Sequence, residues 1–149
     1  MSDPSLPAIL LAEDSEDHVF LFKRALRQSG SEHELHVVSD GVEAIEYLRR
    51  EGSYSEAIRP ELIVLDINMP RMNGFETLDV IKGDDHFNSI PVVILTSSVQ
   101  EEDVSRSYSG GACTFVSKPI SFEDFCRMVG DFSKYWTSVA TLPPIPDRG

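Results

Sequence analysis

The stretch that decides the fold is Leu62-Ile63-Val64-Leu65-Asp66-Ile67-Asn68-Met69-Pro70. Four uninterrupted apolar residues end abruptly in a carboxylate, and the proline that follows cannot serve in a central strand. A run without polar alternation fits a strand covered on both faces, as in the middle of a parallel sheet. Working outward, similar short runs occur at Ile9-Leu10-Leu11, Leu35-His36-Val37-Val38, Val92-Val93-Ile94-Leu95 and Phe115-Val116. Amphipathic stretches of helical length lie between them, near residues 17–28, 41–50, 74–81, 101–109 and 122–140. The last opens with Ser121 three residues before Asp124, a variant of the capping box. Strict alternation of strand and helix predicts a doubly wound α/β fold with right-handed crossovers and helices on both faces.

The chain has 149 residues, enough for one domain with a real core and little more. The expected division is a folded domain over residues 8–140, a tail at 1–7 and a proline-rich tail at 141–149. Thirteen basic residues stand against 25 acidic ones, a net charge of −12. That balance argues against a nucleic-acid or anionic-membrane surface, since phosphates are met with basic patches. It leaves room for a cation site built from carboxylates. No apolar run approaches the ~20 residues that cross a bilayer, and the N-terminus lacks a basic segment followed by an apolar one. Cys113 and Cys126 have neither metal-ligand spacing nor a disulfide framework, so reduced thiols and a cytoplasmic location are expected. The histidines His18, His33, His36 and His86 also lack metal spacing, and surface or packing roles are expected for them.

In a doubly wound sheet, ligands bind beyond the carboxyl ends of the strands, at the topological switch point. The polar residues of this chain gather there. Strand one runs out into Glu13-Asp14, strand three into Asp66, strand four into Thr96-Ser97 and strand five into Ser117-Lys118. In the flavodoxin-like five-stranded order 2-1-3-4-5, strands one and three are neighbours about 5 Å apart, so Glu13, Asp14 and Asp66 should converge. Three carboxylates that close repel, and either a proton or a cation must relieve them. An all-oxygen set of this kind suits Mg²⁺. A carboxylate beside such an ion can attack phosphorus and form an aspartyl phosphate. The rest of that chemistry is electrostatic, and Lys118 and Thr96 offer a cation and a hydroxyl for the phosphoryl oxygens.

The series Leu11-Ala12-Glu13-Asp14, Val64 through Pro70 with Asn73-Gly74, Leu95-Thr96-Ser97 and Lys118-Pro119 resembles two-component response-regulator receiver domains over residues 8–135. The resemblance implies that Asp66 accepts phosphate from a sensor histidine kinase. It implies that Glu13, Asp14 and Asp66 hold Mg²⁺ together with the backbone carbonyl of Asn68. Thr96 becomes the switch hydroxyl, Lys118 the phosphate-pairing lysine and Phe115 the switch aromatic, and the family often places a cis bond before Pro119. The segment from Asp124-Phe125 through Phe132, Tyr135-Trp136 and Thr141-Leu142-Pro143-Pro144 is similar to single-domain regulators of bacterial and cyanobacterial phytochromes.

What this predicts is a signalling switch and not an enzyme acting on other substrates. With no output domain evident, its signal should leave by protein contact or by relay to a downstream phosphotransfer protein. Phe125, Val129, Phe132 and Trp136 form one helical stripe, and Met128, Tyr135 and Val139 a second beside it. The second stripe points to a homodimer through the last helix. A Mg²⁺-dependent phosphatase of the haloacid dehalogenase type is the alternative, but it wants an acidic residue two positions after the nucleophile, where Asn68 stands. A flavin mononucleotide carrier is disfavoured because the loop Asp14-Ser15-Glu16-Asp17 would repel a phosphate.

Overall fold

The computed structural model describes residues 8–30, 33–98 and 100–144. The sheet contains β1 (Ala8–Ala12), β2 (Glu34–Val38), β3 (Leu62–Leu65), β4 (Val92–Thr96) and β5 (Thr114–Ser117), paired in parallel in the order β2-β1-β3-β4-β5. This is the flavodoxin-like order expected from the sequence. Every residue of β1, β3 and β4 is buried, whereas β2 and β5, at the edges, are mostly half-buried. The uninterrupted apolar runs are therefore the central strands.

The helices are α1 (Glu16–Gln28), α2 (Gly41–Arg49), α3 (Gly74–Lys82), α4 (Glu101–Ser109) and α5 (Phe122–Lys134). Because side chains alternate across a strand, the sheet feeds two cores. Leu10, Ile63, Leu65 and Ile94 face a layer that includes Ala44, Leu48, Phe75 and Leu78 of α2 and α3. Ile9, Leu11, Val64, Val93 and Leu95 face Phe22, Leu26, Phe125 and Val129 of α1 and α5.

Helix ends are set by caps. Asn73 and Glu76 form a reciprocal capping box on α3, Asn73 Oδ1 accepting from Glu76 N (2.9 Å) and Glu76 Oε1 from Asn73 N (3.1 Å). Ser121 caps α5 by accepting from Asp124 N at 3.1 Å. Ser15 caps α1, its Oγ accepting from His18 N at 3.3 Å. The last helix, expected to reach residue 140, stays α-helical only to Lys134. A π-helical turn over Tyr135–Val139 follows, with Ala140 N donating to Tyr135 O at 2.7 Å. Beyond it, Leu142 borders a small cavity with Ala8, Ile9, Leu62 and Trp136, and Pro143 and Pro144 lie beside Pro60, Ile90 and Pro91. This edge of the sheet is opposite the acidic strand ends. The tail at 1–7 lies outside the described residues, and among the described residues no helix is long and apolar enough to cross a membrane.

One cap ties two loops together. Asp40 caps α2 by accepting from Glu43 N (2.9 Å), and its carboxylate also receives Arg71 Nε (2.7 Å) and a second guanidinium nitrogen (3.1 Å). Arg71 holds a left-handed backbone, φ 62°, in the loop that follows Asp66. Burial pushes the Asp40 carboxyl up, but Arg71 and the amides of Glu43 and Val42 outweigh it and hold the group below its ordinary value. A depressed carboxyl pKa stabilises the fold above the unfolded-state pKa, and that stability is lost as pH falls through the folded-state value. Asp40→Asn should therefore lower stability in urea melts at neutral pH. The gap to wild type should close as the pH drops below about 4. A gap that stays constant across that window would remove Arg71 and the caps as the source of the effect.

Candidate functional site

Asp66 sits at the carboxyl end of β3 because β1 and β4 hold that strand on both sides; its own N–H donates to Ala12 O at 3.1 Å. The same pairing brings Glu13, one residue past β1, level with it. Glu13, Asp14 and Asp66 each offer a carboxylate oxygen, all within 4.8 Å of one another. Glu13 and Asp66 are buried, while Asp14 is exposed. The donors are all oxygen and all anionic, a set that fits a hard divalent cation. Asn68, on the loop after β3, is exposed and donates its N–H to Asp66 Oδ1 at 3.2 Å.

Lys118 comes from the far side. Its backbone N–H donates to Thr96 O at 2.7 Å, which anchors the chain leaving β5 to the end of β4. Its buried ammonium then reaches across to Asp66 Oδ2 at 2.9 Å and to Glu13 Oε1. The peptide bond to Pro119 is trans, not the cis form that the resemblance suggested. With the bond trans, Lys118 still points into the acidic cluster. Thr96 is wholly buried, and its Oγ1 accepts a long bond from Ser98 N at 3.4 Å.

The electrostatics follow from this crowding. Burial raises the Glu13 carboxyl above its ordinary value. The Lys118 hydrogen bond works against that rise, and the nearby Asp66 charge adds to it. Burial is thus the larger cause, with the Asp66 charge a lesser one and Lys118 opposing both.

The geometry brings Glu13, Asp14, Asp66 and Lys118 together, with Asn68 joined through its N–H, while among the described residues the Thr96 hydroxyl meets only Ser98 N at the end of β4. Phe115 packs half-buried against the core, its N–H donating to Tyr108 Oη at 3.2 Å. One residue of the pocket was missed. His18, read from sequence as a surface or packing residue, has its Nδ1 3.0 Å from Lys118 Nζ and 3.4 Å from Glu13 Oε1. Its position four residues after Asp14, on the helix that opens at the acidic pair, was the available signal.

A strand-end aspartate among carboxylates, with a buried threonine at the end of β4 and a buried lysine just past β5, is the arrangement that a phosphoryl-accepting α/β protein requires. Residues 9–130 match the response regulator receiver domain, and the chain belongs to that family. It is 39% identical over 145 residues to the response regulator Rcp1 of Synechocystis sp., covering 96% of this chain and 99% of Rcp1. The crystal structure of the phosphorylated cyanobacterial phytochrome response regulator RcpA superposes with a TM-score of 0.89 at 38% identity, covering 94% of this chain and all 100% of that one. The Mn²⁺-bound form of Rcp1 gives a TM-score of 0.87 at 37% identity, covering 93% and 99%. The chain is a response regulator, and this membership speaks against the phosphatase alternative.

Proposed function

We propose that this chain is a cytoplasmic regulator in a phytochrome pathway that takes a phosphoryl group onto Asp66 from a sensor histidine kinase. The observation that carries the reading is the Glu13–Asp14–Asp66 cluster with Lys118 directed into it from β5. Glu13, Asp14, Asp66 and the backbone carbonyl of Asn68 would hold Mg²⁺, and the Mn²⁺ in the Rcp1 structure supports a divalent ion. When bound, that ion supplies positive charge to the phosphoryl oxygens. Asp66 supplies the attacking oxygen, Lys118 neutralises a phosphoryl oxygen, and Thr96 offers its hydroxyl to another. Phosphorylation adds about −1.5 to −2 charges. Thr96 would then exchange its long Ser98 contact for the phosphoryl group, drawing the loop after β4 with it, while Phe115 repacks.

Phe20 and Ile120 are 58% and 105% exposed on the two segments flanking the pocket, where a kinase would dock. Of the second stripe on the last helix, Met128 packs partly against the α1–α5 core, whereas Tyr135 and Val139 are 50% and 66% exposed. These two would seat a second copy of the chain. A downstream phosphotransfer protein would receive the signal at the same acidic pocket.

The test is phosphotransfer from a radiolabelled phytochrome-type histidine kinase, with Mg²⁺ and with excess chelator. Label should move to the regulator with Mg²⁺ and stay on the kinase without it. Transfer that ignores the chelator would exclude the metal assignment, and no transfer from any such kinase would exclude the partner. Light scattering on the same samples should report a dimer, and a monomer at every concentration would remove that part.

A further inference from the structure

Among the described residues the Lys118 ammonium meets three acceptors: Glu13 Oε1, Asp66 Oδ2 at 2.9 Å and His18 Nδ1 at 3.0 Å. An ammonium has three protons and nothing else to offer, so these three acceptors account for all of them. Two are the carboxylates that the proposed reaction itself engages, as metal ligand and as nucleophile. The third is not. His18 stands in the first turn of α1, with its backbone N–H fixed by the Ser15 cap at 3.3 Å. That fixes the backbone from which the ring reaches Lys118.

A nitrogen carrying its own proton would meet the lysine as one donor facing another. The 3.0 Å separation therefore assigns the lone pair to Nδ1 and the proton to Nε2. At 3.4 Å, the contact from the same nitrogen to Glu13 is proximity and not a hydrogen bond.

We infer that His18 is a positioning residue: a neutral third acceptor that keeps the Lys118 ammonium aimed at the Asp66 oxygens when the two carboxylates are occupied elsewhere. Lysine ends a flexible four-carbon stem and binds as a point charge. Held only by Glu13 and Asp66, it would lose its anchors as those groups turn to the cation and the phosphoryl group. An uncharged imidazole keeps one anchor in place without adding to the charge that the ammonium must balance. The effect on rate rests on the phosphoacceptor reading above, but the geometry does not.

The test uses His18→Leu, which keeps bulk and removes the acceptor, and His18→Asn, whose amide oxygen can stand where Nδ1 stands. With acetyl phosphate and saturating Mg²⁺, the leucine variant should take up phosphate about fivefold more slowly, the weight of one hydrogen bond. The asparagine variant should recover to within about twofold of wild type, since it restores the acceptor. Metal affinity by calorimetry should be the same in all three. Independently, ¹⁵N spectra of the metal-free wild type should show an unprotonated Nδ1 and a protonated Nε2. A protonated Nδ1, a leucine variant as fast as wild type, or an asparagine variant no better than leucine would each overturn the inference. If wild type itself takes up no phosphate, the functional reading fails instead, and the spectra still decide the hydrogen bond.

Discussion

Asp66→Asn should abolish phosphoryl uptake while leaving the domain folded. Incubated with acetyl phosphate and Mg²⁺, wild type should gain the mass of one phosphoryl group, in a form stable to acid and cleaved by base. In the variant the gain should fall by more than about two orders of magnitude. The chemistry is a single displacement. A carboxylate oxygen of Asp66 forms a bond to phosphorus as the bond to the acetate oxygen breaks, and acetate departs with that electron pair. An amide oxygen is too weak a nucleophile for this, although asparagine matches the shape. The Asn68 N–H can still donate to the Oδ1 of the new residue, as it does to Asp66 at 3.2 Å. Lys118 loses one acceptor but keeps Glu13 and His18. The cluster also loses one of the carboxylates that repel one another. These effects oppose each other, so melting of the metal-free protein should move little, and Mg²⁺ should stabilise the variant less than wild type. A variant that gains phosphate as wild type does would eliminate Asp66 as the acceptor.

The central strands were legible because burial on both faces leaves no room for polar residues, and β1, β3 and β4 carry none within their apolar runs. Alternation with helices pointed to a doubly wound sheet, and in its flavodoxin-like order β1 and β3 are neighbours, so Glu13 and Asp66 must meet. What could not be read falls into two kinds. One is local competition among good candidates: Ser15, Asp14 and Glu13 all suit the start of α1, and only backbone geometry shows that Ser15 is the cap. The other is contact between residues far apart in sequence. Arg71 grips Asp40 across 31 positions, and His18 meets Lys118 across 100. Neither pair has a motif to announce it, and the spacing of His18 from Asp14 points only toward the pocket, not toward Lys118. The π-helical turn after Lys134 belongs with these, because the apolar spacing of the last helix continues through it and hides the change of pitch.

Gly74→Ala should damage both stability and phosphoryl uptake, because a methyl group there has nowhere to go. A Cβ on Gly74 would lie 2.4 Å from the carbonyl oxygen of Asp66, 2.8 Å from Cα of Ile67 and 3.0 Å from the carbonyl carbon of Asp66. All three are backbone atoms, so no side chain can step aside. The contact is close because the first turn of α3 packs directly on the end of β3, with Gly74 N donating to Ile67 O at 2.9 Å. Relief requires moving α3 or the strand end, and the strand end carries Asp66. Overpacking of this kind costs about 1–3 kcal/mol or more. A displacement of the acceptor approaching 1 Å lowers a positioned reaction by up to about a hundredfold. Gly130→Ala is the matched control. It adds the same methyl inside α5, where the nearest atom, Cβ of Ser29, is 4.0 Å away. Replacing a glycine inside a helix should there raise stability by about 0.5–1 kcal/mol and leave uptake unchanged. The two variants should therefore shift the urea midpoint in opposite directions, with only Gly74→Ala slow toward acetyl phosphate. Equal midpoints and equal rates would mean that α3 is not pressed against the acceptor strand as the geometry has it.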